Sequence, residues 1–89
     1  GSCNTTLYIR GTDLVNTTYN SMIGVGNISW SNISSDINNG YYTMKYTDSV
    51  IKSNATQRTN VTTWYWLNVP PIYAGFYNAT IYIGGVKSG

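Results

Sequence analysis

Val61-Thr62-Thr63-Trp64-Tyr65-Trp66-Leu67-Asn68-Val69-Pro70-Pro71 is the stretch that decides the fold class. Val61, Thr63, Tyr65, Leu67 and Val69 alternate with Thr62, Trp64, Trp66 and Asn68. A period of two puts successive side chains on opposite faces of an extended chain, so these residues predict a nine-residue strand. Pro70 and Pro71 end it, because proline has no amide hydrogen for a sheet ladder. After Ala74-Gly75 the alternation resumes from Phe76 to Ile83. Tyr77, Ala79, Ile81 and Ile83 lie on one face, with Asn78, Thr80 and Tyr82 on the other.

The same reading extends toward the amino end. Asn4 to Arg10 alternates and predicts a first strand, closed by the turn residues Gly11-Thr12-Asp13. Leu14-Val15 starts a short second strand. Met22 to Val25 is a third, with Gly24 and Gly26 marking a bulge or a close backbone approach. Ile28 and Trp30 share a face, Asn38-Asn39-Gly40 is the strongest hairpin signal, and Tyr41 to Thr47 reads as a full strand. Val50-Ile51 is a short apolar patch, and Ser53 to Asn60 a loop or weak edge strand. Glu is absent and Thr, Val, Ile, Tyr and Trp dominate, which favours pleated structure over helix. The expectation is an all-β chain, a single domain over residues 1–89, built as an antiparallel two-sheet sandwich of about seven strands.

Composition removes several function classes. A net charge of +2, scattered over Arg10, Lys45, Lys52, Arg58 and Lys87, makes no nucleic-acid footprint. There is no apolar run long enough to span a bilayer and no visible signal peptide, and Gly1-Ser2 reads as a tag scar or the start of a processed product. With no His and no Glu, the usual general base, the commonest metal ligand and most carboxylate pairs are missing. Asp13, Asp36 and Asp48 stand in turn-like polar contexts, where solvation or an Asx turn explains them better than a calcium site. One thiol cannot build a zinc site. No enzyme, cofactor or metal is expected.

Seven of the eleven asparagines begin Asn-x-Ser/Thr triplets: Asn4, Asn16, Asn27, Asn32, Asn54, Asn60 and Asn78. Roughly two or three would arise by chance from this Asn, Ser and Thr content, so the excess points to N-glycan acceptors on an exported, extracellular surface. A Thr/Asn/Ser-rich β-protein collecting such triplets by composition is the alternative. The two residues of a triplet lie two apart and share a strand face. At Asn4, Asn27 and Asn78 that face is opposite the aliphatic one, whereas at Asn60 it also carries Trp64 and Trp66.

Trp64-Tyr65-Trp66-Leu67-Asn68-Val69-Pro70-Pro71, followed by Ala74-Gly75-Phe76-Tyr77-Asn78-Ala79-Thr80-Ile81, resembles the ending of Ig-like β-sandwich modules of archaeal and bacterial cell-surface and extracellular filament proteins. The resemblance covers about the last quarter of the chain and marks a strand–loop–strand corner. It implies an Ig-like sandwich at a cell surface, in an adhesin, a surface layer or a filament, without choosing among them.

The functional expectation is therefore structural: a glycosylated module of a prokaryotic, archaeal-type extracellular assembly whose partners are copies of itself or neighbouring surface domains. Trp64, Trp66 and Tyr82 are the expected assembly or ligand surface. Cys3 reads as an intermolecular disulfide, a bond to a partner outside these residues, a lipid or tag attachment, or an inert terminal thiol. Donation of the Cys3–Arg10 strand to a neighbour's sheet is one specific form of contact. The alternative is a carbohydrate-binding or adhesive module using the same aromatics. A viral envelope fragment is a third reading, though such fragments usually carry more cysteines.

Overall fold

The structure is a computed structural model that describes residues 4–88. Cys3, and with it the expected disulfide, lies outside the described residues. Eight strands follow in order: β1 (Thr5–Gly11), β2 (Leu14–Asn16), β3 (Ser21–Ile23), β4 (Ile28–Ser31), β5 (Tyr42–Thr43), β6 (Ser49–Ala55), β7 (Trp64–Leu67) and β8 (Ile81–Lys87). Two single 3-10 turns, Val25–Asn27 and Ile37–Asn39, are the only helical elements among the described residues. The all-β expectation holds.

Pairing is antiparallel throughout, in sheets ordered β6-β1-β8, β2-β3 and β5-β4-β7. The two three-stranded sheets contribute to one core. Ile9 of β1 and Ile51 of β6 meet Ile28 and Trp30 of β4, with Val25 and Met44 supplied by connections. Trp30, Ile9 and Met44 are each 1% exposed, and each such burial is worth about 1.5–3 kcal/mol. Gly11 is placed by this packing, since a Cβ there would lie 2.8 Å from Met44 Cγ. Met44 can fill the core beside β1 only because position 11 has no side chain.

Several elements differ from the sequence reading. Tyr41 to Thr47 contains only the two-residue β5. Met44 turns into the core and its amide donates to Ile28 O, while Gly11 N donates to Lys45 O, so this backbone bonds across sheets. Asn38-Asn39-Gly40 closes a 3-10 turn capped by Asp36, whose Oδ1 accepts from Asn38 N, instead of a two-residue hairpin. Val50-Ile51 belongs to the seven-residue β6. The nine-residue strand around Trp64 shortens to four residues.

The last strand is displaced from Phe76–Ile83 to Ile81–Lys87. Residues 77 and 78 are held elsewhere: Asn78 N donates to Val15 O, Val15 N to Asn78 O, and Tyr77 OH donates to Tyr73 O while sharing a hydrogen bond with Ser21 Oγ.

Candidate assembly surface

β8 carries the most unusual feature of the surface. It pairs with β1 along its whole length, from Gly11↔Ile81 to Thr5↔Lys87. Directly opposed residues share a sheet face, so Ile81 and Ile83 stand on the face of Gly11 and Ile9, the core face. Ile9 is 1% exposed, yet Ile81 is 38% and Ile83 57% exposed. The layer that buries β1 stops short of β8. On the opposite face Val86 is exposed, and Tyr82 lies under the Arg10 guanidinium, 4.0 Å from the ring centre.

β8 is also an edge, with β1 as its only strand partner among the described residues. The opposite edge, β6, is broken up. Its register against β1 shifts twice, Asn54 takes a left-handed φ of 52°, and the carbonyl of Ile51 accepts from Asn32 Nδ2 at 2.6 Å. Irregularity and side-chain capping of this kind blunt an edge against pairing with other chains. β8 has an unbroken register against β1 and no left-handed residue, and its one charged side chain is Lys87 at its end.

The whole chain leaves more surface in water than its length requires. Its radius of gyration is 15.3 Å, against about 12 Å for a compact domain of this length. Its accessible surface is 6147 Å², where a folded monomer of 9.9 kDa has about 5,200 Å². Exposed apolar side chains contribute to this, among them Phe76 at 92%, Tyr73 at 67% and Val69 at 64%.

The loop carrying Phe76 is pinned from behind. Tyr73 stacks on Tyr19 with ring centres 5.5 Å apart, and the Tyr77 hydroxyl ties Tyr73 to Ser21 of β3. A cavity of about 450 Å³ lies between this loop and the β2–β3 hairpin, lined by Leu14, Ile23, Leu67, Ile72 and neighbouring residues. A second, of about 460 Å³, opens between Tyr19, Phe76 and Asn78. Both are open clefts.

Trp64 and Trp66 do not join Tyr82 in one platform. They lie on β7 in the β5-β4-β7 sheet, while Tyr82 lies on β8 in the other. Across β4, Trp64 and Trp66 oppose Ser31 and Ser29, and Tyr65 and Leu67 oppose the buried Trp30 and Ile28. The expected division of faces is thus present. Burial follows it less closely, because the tryptophans are half-buried while Tyr65 and Leu67 on the core side are 40% and 42% exposed.

The three aspartates are spread out, and no cluster of three potential metal ligands exists among the described residues. Asp13 is more than a turn residue. Its Oδ1 accepts from Val25 N at 2.7 Å and from Tyr46 OH at 2.6 Å, tying the β1–β2 turn to two later segments. That hydrogen bond, with smaller contributions from desolvation and the Asp13 charge, raises the Tyr46 phenol above its ordinary range. Asp48 faces Arg10 at 3.8 Å in an exposed pair of little energetic weight.

The seven sequon asparagines occupy unequal positions. Asn54, Asn60 and Asn78 are exposed, Asn4, Asn27 and Asn32 half-buried, and Asn16 only 4% exposed. Sequence reasoning did not anticipate the open flank at β8. The apolar residues Ile81 and Ile83 were visible, but their lack of cover is a property of where the opposing layer ends. No protein-family model, curated protein or solved structure matches the chain.

Proposed function

We propose that this chain is an N-glycosylated structural module of an extracellular assembly, an Ig-like β-sandwich that joins copies of itself or neighbouring surface domains into a filament, sheath or surface layer. The observation that carries this reading is β8, a seven-residue edge strand whose core-face residues Ile81 and Ile83 remain exposed. A strand added there would satisfy its outer backbone groups, and the body of the added chain could pack over those side chains. Two three-stranded sheets sharing one core support the sandwich architecture. Donation of the amino-terminal strand is a costlier form of contact. β1 already sits between β6 and β8 of its own chain, so donation would exchange that strand between copies.

Assembly is preferred to a sugar-binding role because Trp64, Trp66 and Tyr82 are divided between two sheets. Electron microscopy of the native protein tests the proposal. Ordered fibres or sheets are expected, and dispersed single particles at all concentrations would overturn it.

A further inference from the structure

We infer that the folded chain sorts its seven sequons into acceptors and structural residues: Asn54, Asn60 and Asn78 carry glycans, whereas Asn16 and Asn32 are retained for hydrogen bonds and stay unmodified. This rests on the glycoprotein reading above and specifies its sites. In N-glycosylation an activated oligosaccharyl diphosphate gives its anomeric carbon to the asparagine Nδ2. The C1–N bond forms, the C1–O bond to the diphosphate breaks, and Nδ2 loses one proton. The nitrogen must therefore be open to a bulky donor, and the fold must leave room for the sugar afterwards.

Asn16 fails the first condition. It ends β2, and its Oδ1 accepts from Thr18 N at 3.0 Å and Tyr19 N at 3.2 Å, closing the turn into β3. With the oxygen so held, Nδ2 is directed at the Gly75 backbone, where a Cβ would lie 2.5 Å from it. Gly75 takes a φ of 152°, and Asn16 is only 4% exposed, so its nitrogen is not open to a bulky donor. The Asn-Thr-Thr triplet here has a structural explanation, an Asx turn followed by turn residues.

Asn32 is excluded by a different contact. Its Nδ2 donates to Ile51 O at 2.6 Å, so the nitrogen is directed inward onto β6 from the end of β4.

The three acceptors have no such engagement. Asn54 and Asn60 are exposed on β6 and in the loop after it. Asn78 bridges Val15 with its backbone and is itself exposed. Asn4 and Asn27 fall between the two groups: Asn4 Oδ1 is buried, and Asn27 Nδ2 makes only a long contact of 3.4 Å to Gly24 O. No sequon asparagine lies on β8 itself, whereas Asn54 lies on the β6 edge.

Site-resolved mass spectrometry of glycopeptides from the native protein tests this. Support consists of glycan on at least one of Asn54, Asn60 and Asn78, with Asn16 and Asn32 bare. Glycan at Asn16 or Asn32 in the folded protein overturns the sorting, as does occupancy confined to Asn4 and Asn27. Seven bare asparagines would overturn the glycoprotein reading itself. A second measurement is independent of any glycan. Asn16→Gln should lower the melting temperature of the unglycosylated chain, and Asn60→Gln should leave it unchanged; equal melting of both variants would remove the structural role assigned to Asn16.

Discussion

If β8 is the assembling edge, lysines placed on it should abolish association without unfolding the chain. Ile83 and Val86 are suited to the test, because they lie on opposite faces of the strand and are 57% and 58% exposed. Fully burying a side chain of this size is worth about 1.5–3 kcal/mol, so the area still wet on each represents about 1–1.7 kcal/mol. A contact that pairs β8 with β8 of a second copy counts each residue twice, giving about 4–7 kcal/mol if all of that area were covered. Covering only half of it leaves about 2–3 kcal/mol, a weakening of about 30-fold or more when both residues become lysine.

The monomer should tolerate the change. Substitutions at exposed positions are usually within about 0.5 kcal/mol. Sedimentation velocity over a dilution series, alongside thermal unfolding followed by circular dichroism, separates the two effects. Val50→Lys is the control, at a 48% exposed position on the opposite edge strand β6, and it should associate like the parent chain. An unchanged association constant in the Ile83→Lys/Val86→Lys chain would refute the argument. So would equal weakening by Val50→Lys.

Three further outcomes follow from the core and its ties. Gly11→Ala should destabilise by about 1–3 kcal/mol, because the new methyl lies 2.8 Å from Met44 Cγ in a packed core; chemical denaturation measures it. Asn16→Ala removes two accepted backbone hydrogen bonds and should cost about 1–2 kcal/mol, which is a melting shift of roughly 4–8 °C per kcal/mol for a domain of this size. The Tyr46 phenol, raised chiefly by its hydrogen bond to Asp13, should ionise above the ordinary tyrosine range near 10. Folding favours its neutral form, so this contact's contribution is complete below the unfolded value and lost as pH rises through the folded one. Site-resolved NMR titration should show that shift, and Asp13→Asn should diminish it.

Alternation made the fold class legible. Thr5 to Gly11 and the run around Trp64 show a period of two that no helix can use, and both are strands. Their ends were less legible. Tyr41 to Thr47 alternates as well as β1 does, but Met44 is drawn into the core beside Gly11. The following Lys45 carbonyl accepts from Gly11 N, so the pairing with β4 stops after Thr43 and the Met44 amide. The sequons show the same division. The triplets at Asn16 and Asn54 are chemically alike, yet one amide is folded against Gly75 and the other is exposed on an edge strand.

What the sequence by itself determined is the pleated, antiparallel character of the chain, its lack of His and Glu, and the positions of the seven Asn-x-Ser/Thr triplets. These follow from local periodicity and from side-chain chemistry, which need no knowledge of distant neighbours. The tertiary structure alone decided which edge is left open, which core-face side chains remain wet, and which amide nitrogens are engaged. Each of those depends on where another segment of the chain comes to rest, and burial is a relation between segments far apart in sequence.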